Sequence, residues 1–157
     1  MRPLIAALLA LPVLSAAAPQ DGVRFLRVWP QWHSADSFQS MYEVQHHKEL
    51  DGKFIVLRSN NEFRGGLYFL TRVVNPGALI RGAAFVVRVV EPDSTETRIF
   101  TFPAGIPAGS RLFEIGLTGS DWTGPKAMPL AWDVELRTSD GQVLTEQSSF
   151  LWRKPPG

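Results

Sequence analysis

The three histidines of this chain are the residues best suited to bind a metal ion or to transfer a proton. His46 and His47 are adjacent, with Glu43 shortly before them and His33 earlier in the chain. On a helix, Glu43 would lie beside both His46 and His47, because residues three and four apart are neighbours. Three imidazoles and a carboxylate would suffice for zinc or copper. Adjacent histidines, however, point about 100° apart on a helix. The spacing also matches no zinc-hydrolase motif, so the pattern favours exposed histidines over a metal site.

No other motif indicates catalysis. The chain has no Gly-x-Ser-x-Gly nucleophile turn. The glycines of Arg64-Gly65-Gly66 precede a predicted strand instead of opening a helix, so they do not form a phosphate-binding loop. We therefore predict a non-enzymatic protein with no catalytic residues and no cofactor. A metal-dependent enzyme that uses His33, His46 and His47 remains an alternative.

Aromatic residues are the better candidates for binding. Trp29, Trp32 and Trp122 lie at the ends of predicted strands or in loops, beside proline, glycine and serine, and Asp121 precedes Trp122. Exposed tryptophan rings could stack on sugars or anchor another protein, since each has a rigid apolar face and a donor edge. Alternatively, these rings close the ends of the fold. We take Trp29, Trp32, Trp122 and Asp121 as candidate binding residues.

Arginine supplies 12 of the 16 basic side chains. Arg72 and Arg88 fall on the outward faces of two predicted strands, and Asp133 and Glu135 on the outward face of a third. Arginine–carboxylate pairs across a sheet would be ordinary surface stabilisation. A bidentate anion site is the alternative.

These residues are carried by segments in which apolar side chains alternate with polar ones, as in half-buried strands. Two long apolar segments, residues 67–74 and 83–90, are joined by the turn Asn75-Pro76-Gly77 and are predicted as a paired hairpin. Pro30 is predicted to end the first strand, and residues 103–109 to form a loop. One short helix is predicted over residues 35–48, with Ser34 as its N-cap. Further strands are predicted at 23–29, 54–57, 97–102, 111–117, 131–137 and 143–152.

Seven or eight short strands without a helix between each pair predict an all-β fold. The expected architecture is an immunoglobulin-like antiparallel two-sheet sandwich with one short N-terminal helix, and a small barrel is the alternative. Charge is nearly balanced, with 16 Lys plus Arg against 15 Asp plus Glu. This balance argues against a nucleic-acid or anionic-membrane partner. The chain has no cysteine, which excludes disulfides.

The N-terminus has the pattern of a secretory signal peptide. A basic start is followed by an apolar run and then by small residues. We predict a signal peptide over residues 1–17 and a single domain over 18–157, located in the periplasm or outside the cell. No second apolar run is long enough to span a membrane.

Four segments give the chain a resemblance to an uncharacterised family of small exported bacterial proteins with an immunoglobulin-like domain. The segments are RGGLYF (64–69), GLTGSDW (116–122), AW (131–132) and SFLW (149–152). The resemblance implies a similar fold and export, and it implies no activity. The sequence therefore predicts an exported binding or envelope-associated protein whose partner is an envelope or extracellular protein. A carbohydrate-binding module that takes a polysaccharide is the alternative.

Overall fold

Side-chain alternation gives most strands of this protein one apolar face, and the chain buries those faces by stacking two sheets. The computed structural model describes residues 22–37, 54–122, 124–125 and 127–153. Within these ranges the strands are β1 (Arg24–His33), β2 (Phe54–Arg58), β3 (Gly66–Asn75), β4 (Ile80–Val90), β5 (Thr97–Ile106), β6 (Gly109–Thr118), β7 (Ala131–Arg137) and β8 (Val143–Ser148). A 3-10 turn (Gly119–Asp121) follows β6, and a helix α1 (Phe150–Arg153) follows β8.

The strands form two four-stranded sheets. Sheet A has the order β1-β3-β6-β2, and sheet B has the order β5-β4-β7-β8. Neighbouring strands are antiparallel except β2 and β6, which are parallel. The predicted all-β two-sheet sandwich is confirmed. The predicted signal peptide and most of the predicted helix over 35–48 lie outside the described residues.

The core lies between the two sheets. Both contribute fully buried rings, among them Phe69 and Phe113 from sheet A and Phe85 from sheet B. The Phe85 and Phe113 rings lie 4.9 Å apart across the interface. The predicted outward faces of β3, β4 and β7 are correct, because a strand with one apolar face has only one orientation that buries it.

β3 and β4 do not pair with each other, so the predicted hairpin is wrong. β3 pairs with β1 and β6 in sheet A, whereas β4 pairs with β5 and β7 in sheet B. Asn75, which is buried, holds the turn between them. Its Nδ2 donates to the carbonyl oxygens of Ala78 at 2.8 Å and Ile106 at 3.0 Å, and its Oδ1 accepts from the Gly77 N–H at 3.0 Å. These bonds direct the chain across the core into the other sheet.

Replacing Asn75 with alanine will therefore destabilise the sandwich. We expect the free energy of unfolding to fall by about 2 kcal/mol, since buried carbonyl groups lose their donor. Urea unfolding followed by tryptophan fluorescence measures the change. Asn61→Ala is the control, because Asn61 is exposed in a loop, and its effect should stay within about 0.5 kcal/mol. Equal effects of the two substitutions would contradict the role of Asn75.

Two strands, β1 and β5, continue through prolines beyond their predicted ends. Pro30 does not end β1, which continues to His33. β1 lies at the edge of sheet A, where a residue without an N–H need not break the ladder. β5 likewise runs through Pro103 to Ile106, and only Pro107 and Ala108 separate it from β6. This short link carries the chain from sheet B to sheet A.

The last predicted strand, residues 143–152, forms a strand in its first part and a helix in its last part. Residues 131–137 form a hairpin with β8 through the turn at Asp140-Gly141. After Ser148, however, the Ser149 N–H donates to the Trp132 carbonyl at 2.9 Å, and the Ser149 hydroxyl accepts from the Trp132 N–H at 3.0 Å. Ser149 thereby ends the ladder, and α1 follows. Trp132 packs against the core, whereas Trp152 lies in α1, half-buried.

Candidate functional site

Strand ends and loops from both sheets meet at one end of the sandwich, which we call the loop end. It comprises the end of β1, the β2–β3, β4–β5 and β6–β7 loops, and α1. Register places His33, Gly66 and Thr118 side by side in sheet A. Val90 and Ala131 lie side by side in sheet B. The loop end is therefore where residues that are distant in sequence can form one surface.

A cleft of about 670 Å³ opens at the loop end. Its walls come from the end of β1, the β2–β3 loop and the β6–β7 loop. The lining residues are Trp32, Ala35, Glu62, Phe63, Arg64, Gly65, Gly119, Trp122 and Gly124. The cleft thus joins two stretches that the sequence offered as separate candidate surfaces, one around Trp32 and one around Trp122.

Trp122 is a buried part of this cleft. Only 3% of its surface is exposed. Its ring joins the hydrophobic core, and its Nε1 donates to the Ala127 carbonyl at 2.8 Å. Of the two alternatives for Trp122, a ring that closes the end of the fold agrees with this burial and an exposed, stacking ring does not, because the β6–β7 loop folds back and satisfies the indole N–H. Trp32 is half-buried and also packs on the core.

The exposed aromatic ring of the cleft belongs to Phe63, which the sequence interpretation did not select. Phe63 is 49% exposed. Its ring rests on Gly119, where a Cβ would approach the ring to 2.7 Å. Gly119 also has a φ of 62°, which favours glycine. A usable signal was present in the sequence, since an aromatic residue in a polar, glycine-containing loop has no strand face to bury it.

The β2–β3 loop that presents Phe63 is held firmly. The Asn60 N–H donates to the Thr118 hydroxyl at 3.0 Å, and that hydroxyl donates to the Asn60 carbonyl at 2.7 Å. The Asn60 side chain accepts from the Glu62 N–H at 3.0 Å, which forms an Asx turn. The Ser59 hydroxyl accepts from the Thr118 N–H at 3.0 Å. Phe63 is therefore presented on a loop fixed to the end of β6.

Other exposed apolar side chains lie at the loop end, outside the lining of the cleft. Four large residues from the β6–β7 loop and α1 are between 42% and 73% exposed, namely Met128, Leu130, Phe150 and Leu151. Glu62 and Arg64, both exposed, supply charge at the cleft. Apolar surface gathered on one end of a soluble domain is typical of an interaction site.

Trp29 lies away from the cleft. Its ring packs on the outer face of sheet A, against Tyr68, Leu70 and Leu112. The Arg27 guanidinium lies 4.8 Å from the centre of the Trp29 ring. Trp29 therefore does not join Trp32 and Trp122 in one binding surface, although it is close to them in sequence.

Asp121 has a structural partner. Its carboxylate accepts from Arg98 Nη2 at 3.4 Å, and its carbonyl accepts from Arg98 Nη1 at 2.9 Å. Arg98 also pairs with Glu91 at 2.6 Å. Asp121 lines a second cleft, of about 560 Å³, between β2 and β5. It ties the 3-10 turn to the start of β5 and does not line the aromatic cleft.

The outer face of sheet A carries several titratable groups. His33 is buried there with its ring edge-on to Tyr68 at 5.4 Å, and burial lowers the pKa of His33. Arg58 Nε donates to the Tyr68 hydroxyl at 2.8 Å, and that hydroxyl donates to the Arg64 carbonyl at 2.6 Å. Burial raises the pKa of Glu114 against the opposing charge of Arg58.

The alternative metal site, which would use His33, His46 and His47, stays a prediction. His46 and His47 lie outside the described residues. Within the described part of the chain, no three histidine or acidic side chains are grouped so as to hold a metal ion.

Arg88 forms the arginine–carboxylate cluster that the sequence indicated. Its Nη1 lies 2.7 Å from Asp133 Oδ2 and 2.7 Å from Glu135 Oε1. Burial raises the pKa of Asp133 despite the hydrogen bond from Arg88. Burial also opposes ionisation of Glu135, but the hydrogen bonds from Arg88 and Arg137 prevail and lower its pKa. Arg72 lies in the other sheet and takes no part.

No described helix is long and apolar enough to cross a membrane. Comparison with protein-family models, with curated proteins and with solved structures found no match to this chain. Its function must therefore be inferred from its own residues.

Proposed function

We propose that this chain is an exported, non-enzymatic binding protein whose loop end contacts another protein of the cell envelope or the surrounding medium. The observation that carries the proposal is the cleft of about 670 Å³ that gathers Trp32, Phe63 and Trp122. Apolar clefts with a few polar groups are the usual form of a binding site.

Two features favour a protein partner. Aromatic residues dominate the energetics of protein interfaces, because a rigid ring buries a large area with little loss of conformational entropy. Phe63 meets this description, since the hydrogen-bonded β2–β3 loop holds it and 49% of its surface is free for contact. The charged side chains Glu62 and Arg64 would then lie at the rim, where charges give specificity. Export rests on the signal-peptide pattern of residues 1–17.

A carbohydrate-binding module is the weaker candidate. Such a module would use flat, exposed aromatic rings in a row to stack on sugars. Trp122 is buried, Trp32 is half-buried, and Trp29 packs on the outer face of sheet A. Among the described aromatic residues of the cleft, this leaves Phe63 as the one exposed ring.

Replacing Phe63 with alanine tests the proposal. The mature protein, residues 18–157, is immobilised and incubated with an envelope extract and with culture medium. Captured proteins are identified and purified, and their affinity is measured directly. We expect Phe63→Ala to weaken binding at least tenfold, as for an interface residue of central importance, while the melting temperature changes little.

Leu79→Ala is the matched control. Leu79 is 45% exposed but lies in the β3–β4 turn, at the opposite end from the cleft. Its substitution should leave partner affinity unchanged. Equal loss of binding in both variants would contradict a loop-end site. Retention on polysaccharide with no protein partner would favour the carbohydrate-binding module instead.

A further inference from the structure

Three exposed arginines gather on the outer face of sheet A, at the end of the sandwich opposite the cleft. Arg27 of β1 is directly opposite Arg72 of β3 in the strand register, and Arg24 is opposite Val74, two residues further along β3. All three arginines are exposed. We call Arg24, Arg27 and Arg72 the arginine cluster.

A β-bulge brings the cluster together. Phe25 is opposite Val73, and Arg27 is opposite Arg72, so Leu26 is an extra residue in β1. Without a bulge, residues 24 and 27 would point to opposite faces of the sheet, because side chains alternate. The extra residue shifts the alternation by one and places both arginines on the outer face. Bulges commonly serve to redirect a side chain in this way.

The cluster lacks a balancing charge among the described side chains. No described carboxylate forms an ion pair with Arg24, Arg27 or Arg72. Like charges directly opposite each other in a sheet are destabilising. The Trp29 ring holds the Arg27 guanidinium at 4.8 Å from its centre, and so fixes one of the two opposed charges in place. Guanidinium groups that no described carboxylate pairs with are complementary to an anion such as phosphate.

An exposed apolar side chain lies within the cluster. Leu26, the bulge residue, is 53% exposed and is flanked by Phe25 and Arg27. Basic residues combined with a protruding apolar residue match the surface of an anionic membrane, where charge attracts and the apolar group enters the interface. The near-zero net charge of the chain conceals this cluster, because acidic side chains at the loop end, such as Asp93 and Glu96, offset it.

We propose that the arginine cluster binds the phosphate groups of an anionic phospholipid surface, with Leu26 inserted beside them. The arginine cluster is separate from the cleft. The membrane-binding proposal therefore goes beyond the proposed function, and its failure would leave the proposed function unaffected. The source of the phosphate is the membrane, because an exposed leucine makes no favourable contact with a free phosphate ion but can enter the apolar part of a membrane surface.

Vesicle sedimentation tests the proposal. The mature protein is mixed with vesicles of phosphatidylglycerol and phosphatidylcholine, with vesicles of phosphatidylcholine alone, and separately with inorganic phosphate followed by calorimetry. Binding is expected to the anionic vesicles alone and to weaken as salt is raised. The double variant Arg27→Gln/Arg72→Gln should lower the partition constant by about 30-fold, because each arginine near an anionic surface contributes roughly fivefold.

The double variant Arg81→Gln/Arg153→Gln is the matched control. Both arginines are exposed and have no described ion pair, and their substitution removes the same charge as that of Arg27 and Arg72. A 30-fold loss in the cluster variant with less than a fivefold loss in the control supports the site. Equal losses, or no binding to anionic vesicles, overturn it. Tight binding of inorganic phosphate that Leu26→Ser leaves unchanged would overturn the assignment to lipid. Phe63→Ala should leave vesicle binding intact.

Discussion

Trp122→Ala will lower the free energy of unfolding by about 3–5 kcal/mol, because it removes a large core side chain and leaves a cavity. Trp122 is 3% exposed and is packed within the hydrophobic core. The substitution also deprives the Ala127 carbonyl of the Trp122 Nε1 donor at 2.8 Å. The measurement is urea unfolding, with circular dichroism as a probe that does not depend on Trp122.

Phe63→Ala serves as the comparison, since Phe63 lines the same cleft but is 49% exposed. Its unfolding free energy should change by less than about 1 kcal/mol. The pair thus separates a residue that builds the cleft from one available for contact. Unfolding of Trp122→Ala at nearly the same urea concentration as the unsubstituted protein would contradict the burial of Trp122 in the core under the β6–β7 loop. Loss of binding in Trp122→Ala would not by itself locate a binding surface.

Arg88→Leu will destabilise the protein by about 3 kcal/mol, because it leaves two poorly exposed carboxylates without a shared cation. The side chains of Asp133 and Glu135 are 6% and 11% exposed, and that of Arg88 is 20% exposed. Arg98→Leu is the matched control. Its ion pairs with Glu91 and Asp121 join side chains that are 30% to 39% exposed. The loss of both should therefore cost less than the loss of Arg88, about 1 kcal/mol.

The effect of Arg88→Leu should depend on pH. In the unsubstituted protein the pKa of Glu135 is lowered, so Glu135 stabilises the fold above its unfolded pKa, and this contribution is lost as the pH falls through the folded pKa. Without Arg88, burial acts on Asp133 with its main opposing hydrogen bond removed and raises its pKa further. A carboxyl group whose pKa is raised in the folded state makes the folded protein more stable as the pH falls, because the group becomes protonated. The difference between the two proteins should therefore shrink from pH 7 to pH 4.

A second substitution provides the internal check. Asp133→Asn in the Arg88→Leu background should recover part of the lost stability at pH 7, since it removes one uncompensated charge. In a double-mutant cycle the two residues should show clear coupling. Strict additivity, or a destabilisation that is the same at pH 7 and pH 4, would contradict the electrostatic explanation.

Local patterns predicted the strands well and their partners poorly. The strand over residues 131–137 and the inward set Leu67, Phe69, Thr71 and Val73 follow from alternation alone, since only one face of each strand is apolar. Alternation carries no information about which strand lies alongside. Alternation and the intervening turn therefore predict a hairpin of β3 and β4, although the hydrogen bonds of Asn75 direct the two strands into different sheets.

The candidate site shows the same division. Sequence drew attention to Trp32 and Trp122 through their loop positions, and the structure places both in one cleft. It did not identify Phe63, whose exposure depends on the fold of the β2–β3 loop against Thr118. It also left open whether Trp122 is exposed or closes the end of the fold, because the acceptor for the indole N–H is a carbonyl that only the folded loop provides.

By itself, the sequence determined that this protein is an all-β chain with apolar strand faces to bury, because side-chain alternation is a local property. It also determined the lack of disulfides, since there is no cysteine. Only the tertiary structure decided which strands are neighbours, that the cleft joins the ends of β1 and β6, and that a bulge at Leu26 gathers three arginines on one face. These features depend on contacts between residues far apart in the chain, and no local pattern encodes such contacts.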